Sequence, residues 1–171
     1  MSNSGMEIVL LDSKSHRRAT FDCGVESLNQ YIKKIASQDL KRKAATVFVS
    51  IDSSTQNVTA YYTLSSFSLE LTEIESIWAK KLPRYPLLPA TMLGRLAVDK
   101  HHKGRGLGQL MLVDAIKKSY QASQQIASVA LIVEAIDEEA VSFYQKFGFI
   151  NFQSSKERLY LPMKTIEKIT T

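Results

Sequence analysis

The chemistry in this chain starts at Lys103-Gly104-Arg105-Gly106-Leu107-Gly108, where three of only seven glycines fall at alternate positions beside two cations. Glycine lets the backbone approach a ligand closely and aim several N–H groups at one point. The apolar run that follows, Leu107 to about Gln121, reads as a helix with a polar stripe of Asp114, Lys117, Lys118 and Gln121. A helix start adds unpaired N–H groups and the positive end of its dipole. Together these make an anion site, most often for phosphate. The alternative is a tight strand-to-helix turn without a ligand, which the flanking lysine and arginine disfavour. Two familiar phosphate loops are excluded by spacing. A P-loop needs Gly-Lys-Ser/Thr, whereas Gly108 precedes Gln109; a dinucleotide loop needs G-x-G-x-x-G, and its third position falls on Gln109.

The loop needs elements to hold it. "TMLGRLAVD" reads as the strand entering it, and "SVALIVEA" as a buried strand after the helix, so Thr91 to Glu134 forms a βαβ unit. That helix, apolar outside its polar stripe, is expected to be mostly buried. "DEEAVSFYQKF" reads as a helix capped by Asp137 and closed by Gly148. Upstream, "FDCGVESLNQYIKKIASQDLKRK" has Val25, Leu28, Ile32, Ile35, Ala36 and Leu40 near helical spacing and reads as one helix. "TVFVSI" is a strand, "SSTQN" a turn, and "VTAYYTLSSFSLEL" a long strand bent near Ser65-Ser66. "EIESIWAKKL" is a short helix, and three prolines make "PRYPLLP" an irregular loop. "FINFQ" and "RLYLPM" are expected to close the chain as a hairpin. The fold class is α/β (α+β), a mixed sheet flanked by helices, in a single domain over residues 1–171.

Composition bounds the function. At 171 residues and 44% hydrophobic content, the chain suits one soluble domain. It has no apolar run near the ~20 residues of a membrane span. "MSNSGMEIVLLDSKSHRR" lacks a signal-peptide apolar region, and Cys23 is the only cysteine, so a cytoplasmic location is expected. Net charge is +5, concentrated in Lys33, Lys34, Lys41, Arg42 and Lys43, and again from Lys80, Lys81 and Arg84 through Arg95 to Arg105. Such a sided surface either is merely solvated or attracts polyanions. No Cys/His cluster suggests a metal. His16 is assigned to the surface, His101 and His102 to the lining of the glycine loop, and Glu134 is a weak candidate base.

"RLAVDKHHKGRGLGQLML" resembles motif A of the GNAT acetyltransferases, with His101 at the position that family usually fills with glutamine or arginine. "DEEAVSFYQKFGF" resembles their motif B: Ala140, Tyr144, Gly148 and Phe149 match, and Asp137 takes the usual asparagine position. The resemblance implies a GNAT fold with acetyl-CoA between splayed central strands. Leu96, Ala97 and Val98 would pair through their backbone with the pantetheine arm. Lys103, Gly104, Arg105, Gly106, Leu107 and Gly108 would cradle the pyrophosphate, with Asp137 also on the cofactor side. Tyr144 would lie near the sulfur as general acid; an unperturbed phenol, with a pKa of about 10, can protonate a thiolate. The lack of a strong base suits an α-amine, which titrates at about 7.7–8.0 against about 10.4 for lysine.

"FDCGVESLNQYI", "AYYTLSSFSL", "KKLPRYPLLPATMLGRLAVD" and "RLYLPMKTI" are similar to one branch, the GNAT toxins of bacterial type II toxin–antitoxin modules. That similarity implies acetylation of the α-amine of aminoacyl-tRNA and a block on translation. It also implies neutralisation by a ribbon-helix-helix antitoxin, operator DNA bound only through that antitoxin, and a homodimer. Lys33, Lys34, Lys41, Arg42, Lys80, Lys81 and Arg84 are then the expected contacts to tRNA phosphates. Arg95 is as readily structural. Two other readings stay open: an N-acetyltransferase for a small-molecule or protein amine, and a non-catalytic coenzyme A-binding repressor module.

Overall fold

The computed structural model describes residues 6–170. The leader reading of the N-terminus falls partly on residues 1–5, outside the described residues. The chain is a mixed α/β fold around a seven-stranded sheet in the order β1-β2-β3-β4-β5-β7-β6. It divides into two compact units, one built up to Ser65 plus Gly94–Ala115, the other from Ser66–Leu93 and Ile116 onward.

In the first unit, β1 (Met6–Leu10) pairs antiparallel with β2 (Thr46–Asp52), from Met6↔Asp52 to Leu10↔Phe48. β2 in turn pairs antiparallel with the first half of β3 (Val58–Glu70). β1 is absent from the sequence reading. β3 runs unbroken through Ser65-Ser66, where a bend is expected from sequence. Phe21, Tyr31, Ile32, Ala36, Val47, Val49, Ile51 and Tyr61 form this unit's core. The Tyr61 ring meets Phe21 edge-on at 5.5 Å and stacks with Tyr31 at 6.0 Å, and its hydroxyl donates to the Leu28 carbonyl at 2.7 Å.

The single helix expected over residues 21–43 is three pieces: α1 (Glu26–Gln30), a π-helical turn (Tyr31–Ile35) and α2 (Ala36–Lys41). The helix starts late because the Asp22 carboxylate takes the N–H of Gly24 and the Asn29 amide, folding residues 22–24 into a turn. The π turn closes with the Ala36 N–H on the Tyr31 carbonyl. That five-residue step puts both Tyr31 and Ala36 inward and turns Ile35, read as part of the buried stripe, out to 45% exposure.

In the second unit, Leu69, Ile74, Leu88, Ala90, Met92, Ala130, Ile132, Phe152 and Tyr160 form the core, and Trp78 stacks on Tyr160 at 4.5 Å. β4 (Leu87–Val98) begins inside the expected irregular loop. Pro89 is tolerated there because it points outward and its carbonyl still accepts, from the Val129 N–H at 2.8 Å. "EIESIWAKKL" yields only a 3-10 turn (Leu71–Glu73) and the one-turn α3 (Ser76–Ala79). β5 (Ala130–Glu134) pairs parallel with β4 and antiparallel with β7 (Arg158–Pro162), and β6 (Ile150–Asn151) borders β7. The chain ends in α6 (Met163–Thr170), which the sequence reading lacks and whose Met163 and Ile166 are buried.

The expected βαβ unit is present: β4, then α4 (Leu107–Ser123), then β5, with Thr91–Leu93 registered against Leu131–Val133. β4 runs on through Gly94–Val98 beyond that three-residue pairing. α4 is less buried than its composition suggests. Leu107, Met111, Leu112, Ala115 and Ser119 face inward, while Leu110 and Val113 are 44% and 36% exposed on the opposite side.

Candidate functional site

The glycine loop is built at the end of β4. Asp99 caps a 3-10 turn, Lys100–His102, by accepting the His101 N–H at 2.9 Å. Lys103 to Gly106 follow, and the Leu110 N–H bonds the Gly106 carbonyl at 3.1 Å to close the first turn of α4. Gly104 and Gly106 both take left-handed backbone, φ +80° and +76°, and a side chain built on either would meet nothing within 4 Å. The loop therefore turns with bare backbone facing open space, at the N-terminus of a 17-residue helix. This geometry fits a pyrophosphate held by N–H groups.

Side chains around the loop divide their roles. Lys103, expected on the phosphate, donates from Nζ to the Cys23 carbonyl at 2.7 Å, so it ties the loop to residues 22–24. Arg105 is exposed and lines a cavity of about 440 Å³ with Met6, Ile8, His102 and Leu110. Leu107 is buried and anchors the helix start; Gly108 is half-buried. On β4, Ala97 belongs to the first unit's core, with Leu96 and Val98 half-buried on either side. Arg95 has a structural role: its guanidinium lies 3.7 Å over the Tyr31 ring.

His102 lines the cavity beside the glycine loop with Arg105, as expected, and His101 and His102 have Nδ1 atoms 3.1 and 3.6 Å from Asp99 Oδ1. His16, assigned to the surface, is buried at 9% exposure, and its Nδ1 accepts the Asp12 N–H at 2.9 Å. That bond closes the Asp12–His16 turn, a local use of imidazole that composition cannot reveal.

Tyr144 lies on α5 (Glu138–Lys146) in the second unit. Asp137 starts this helix by accepting the Ala140 N–H at 2.8 Å, so its carboxylate works as a cap. The Tyr144 ring is 6% exposed, edge-on to Phe143 at 5.4 Å and Phe149 at 5.5 Å. Burial pushes its phenol well above the usual range, so the hydroxyl keeps its proton at any working pH. Gly148, at φ +92°, ends the helix. Glu134, the candidate base, lies 3.3 Å from Arg158, which also lies 3.5 Å from Glu73 and over the Phe67 ring.

Of the expected tRNA contacts, Lys34, Lys41 and Arg42 are exposed and Lys33 half-buried along the α1–α2 segment of the first unit. Lys80, Lys81 and Arg84 are exposed on the second. Among the described residues no group of three or more His, Cys, Asp or Glu could hold a metal, and no helix is long and apolar enough to cross a membrane. The sequence reading passed over Asp22 and Asp99, whose contact joins positions 77 residues apart. Its one local signal is an aspartate two residues before Gly24, the spacing of a side-chain-closed turn.

Residues 88–169 match the acetyltransferase (GNAT) domain family. The tRNA-acetylating toxin of Mycobacterium tuberculosis is 32% identical over 145 residues, covering 85% of each chain. A protein of Sinorhizobium fredii named probable toxin TacT is 26% identical over 179 residues, 99% of both chains. The fold of AtaT, solved in complex with acetyl-methionyl-tRNAfMet, matches with a TM-score of 0.90 at 29% identity over 97% of this chain and 99% of that one. A tyrosine-to-phenylalanine variant of AtaT has also been solved with acetyl-CoA and the C-terminus of the antitoxin AtaR, and KacTA with DNA. With this fold and these relatives, the chain belongs to the GNAT acetyltransferases, in the group that includes the tRNA-acetylating toxins.

Proposed function

We propose that this protein moves the acetyl group of acetyl-CoA onto the α-amine of the amino acid carried by a charged tRNA, and so acts as a toxin that blocks translation. One observation carries the reading: a bare, left-handed glycine backbone opens onto free space at the start of α4, in a chain whose relatives acetylate tRNA.

Acetyl-CoA supplies an activated acyl carbon and a thiol leaving group. The backbone N–H groups of Lys103 to Gly108 hold the pyrophosphate, with Arg105 adding charge. The backbone of Leu96, Ala97 and Val98 offers strand pairing to the pantetheine arm. Tyr144, protonated in its buried setting, donates toward the leaving sulfur; burial also makes the phenol a weaker acid, so the negative charge developing on sulfur draws the proton across. No strong base is required, because an α-amine titrating at about 7.7–8.0 is partly neutral at physiological pH. Asp137 serves this site indirectly, by starting the helix that carries Tyr144.

Lys33, Lys34, Lys41, Arg42, Lys80, Lys81 and Arg84 contact tRNA phosphates, which makes binding steeply salt-dependent. An antitoxin of the ribbon-helix-helix type holds the toxin inactive and alone contacts operator DNA; AtaT bound to the C-terminus of its antitoxin AtaR, and KacTA bound to DNA, support an antitoxin partner. Residues 1–171 make one cytoplasmic acetyltransferase domain that works as a homodimer. The test is incorporation of labelled acetyl groups from acetyl-CoA into total charged tRNA by the purified protein. Label on charged but not on deacylated tRNA is the expected result. Coenzyme A binding without transfer to tRNA redirects the search to small amines and protein N-termini.

A further inference from the structure

We infer that Asp99 is a positioning residue for the cofactor loop: it sets the loop's entry turn and locks it to residues 22–24, and without its carboxylate the loop loses its grip on coenzyme A. This rests on the reading of Lys103 to Gly108 as the pyrophosphate cradle. Asp99 is 6% exposed, with both oxygens engaged. Oδ2 accepts the Asp22 N–H at 3.0 Å, and Oδ1 accepts the His101 N–H at 2.9 Å, with the His101 and His102 imidazoles at 3.1 and 3.6 Å. Burial alone would raise its carboxyl, but the N–H groups of Asp22 and His101 outweigh it and hold the group below the usual carboxylate range.

The bonds around it form a clasp between the end of β4 and the start of α1. The Lys100 N–H bonds the Asp22 carbonyl at 2.8 Å, and the Lys100 ammonium pairs with the Asp22 carboxylate at 3.1 Å. Lys103 reaches the Cys23 carbonyl. At the other end, the Asp99 N–H bonds the Thr59 carbonyl of β3 at 2.8 Å. Residues 99–103 are thus fixed on both sides, and a Cβ on Gly104 or Gly106 beyond them would meet no atom within 4 Å. Two glycines in left-handed conformation gain no rigidity of their own, so the direction in which their N–H groups point is set by the clasp on one side and, on the other, by the first turn of α4, where the Leu110 N–H holds the Gly106 carbonyl. A carboxylate suits the site because the Asp22 and His101 N–H groups each need an acceptor, one on each oxygen. Asparagine has the same shape but puts an NH2 against one of those N–H groups.

The test is Asp99→Asn, with Asp12→Asn as the control for loss of one carboxylate from a different turn of the same unit. Coenzyme A binding is measured by calorimetry without tRNA, and KM and kcat for acetyl-CoA with charged tRNA. Asp99→Asn is expected to weaken coenzyme A binding and raise KM by about tenfold or more, with kcat at saturation changed less than about threefold. Amide exchange at residues 104–108 speeds up while the sheet's protection persists. Asp12→Asn binds as wild type. Unchanged affinity in a folded Asp99→Asn protein overturns the inference, as does a fall in kcat at unchanged KM. If Asp99→Asn unfolds, Asp99→Ser, which keeps one acceptor, is read the same way. A wild-type protein that fails to bind coenzyme A overturns the cradle reading instead.

Discussion

Gly106→Ala separates the loop's chemistry from its conformation. Alanine in left-handed backbone costs roughly 1–2 kcal/mol, because Cβ crowds the following carbonyl. Its stiffer unfolded chain returns about 0.4–1 kcal/mol. The net is a loss of at most about 1.6 kcal/mol of stability, a fall in Tm of no more than roughly 6 °C for a chain of this size. The new methyl meets no protein atom within 4 Å, so the folded protein carries no clash beyond that strain. The methyl does enter the space assigned to the pyrophosphate. Loss of one charged hydrogen bond, at about 1.5–3 kcal/mol, weakens coenzyme A binding by about ten- to a hundredfold. Gly148→Ala is the matched comparison: φ is +92° and its Cβ lies an ordinary 3.7 Å from Leu161 Cδ1. Both variants should lose similar stability in thermal denaturation. Only Gly106→Ala should lose affinity in calorimetry with coenzyme A. Equal affinities in the two variants would refute the backbone cradle.

Tyr144→Phe should lower kcat by about a hundredfold or more, with coenzyme A affinity within about twofold of wild type, since general acids typically contribute 10²–10⁴. In initial rates taken up to about pH 8.5, beyond which the aminoacyl ester itself hydrolyses, the wild-type profile should rise as the α-amine loses its proton and show no fall from the phenol, because burial keeps it protonated beyond its ordinary range; a fall setting in between about pH 7.5 and 8.5 would contradict that. Asp22 is held down to about 2, chiefly by the Gly24 N–H, then by the Asn29 amide and Lys100. Its folded value lies below the unfolded one, so its stabilisation is complete above about pH 4 and is lost as pH falls through about 2. Asp22→Asn should flatten an acid unfolding curve across that window. Tyr62 donates to Asp114 at 2.5 Å, so Tyr62→Phe should cost about 1.5–3 kcal/mol in urea denaturation.

The part of the fold that carries chemistry was legible because its signals are local. A largely apolar strand, three glycines, an apolar helix and a buried strand follow one another in about fifty residues, and each keeps the state its composition favours. Tyr144 and its helix were legible for the same reason, with Asp137 and Gly148 marking the ends. What was missed depends on distant partners. β1 is five residues whose strand state comes from β2. α6 begins directly after Pro162, and its eight residues, with Met163 and Ile166 buried on one face, are too short a periodic run to stand out from the strand before them. Ile35 turns outward because the core needs Tyr31 and Ala36 together. Pro89 stays in a strand because only its carbonyl is asked to bond. The bond from the Lys103 ammonium to the Cys23 carbonyl was not legible either, because its partner is eighty residues away.

The central claim, acetyl transfer to the α-amine of charged tRNA, is tested most directly by identifying the product. Charged tRNA treated with acetyl-CoA and enzyme is deacylated in mild alkali, and the released amino acids are analysed by mass spectrometry beside a Tyr144→Phe reaction. The account predicts α-N-acetyl amino acids from the wild-type reaction and almost none from the variant. Free, unmodified amino acids from both, with acetyl-CoA intact or its acetyl group on protein, would contradict it.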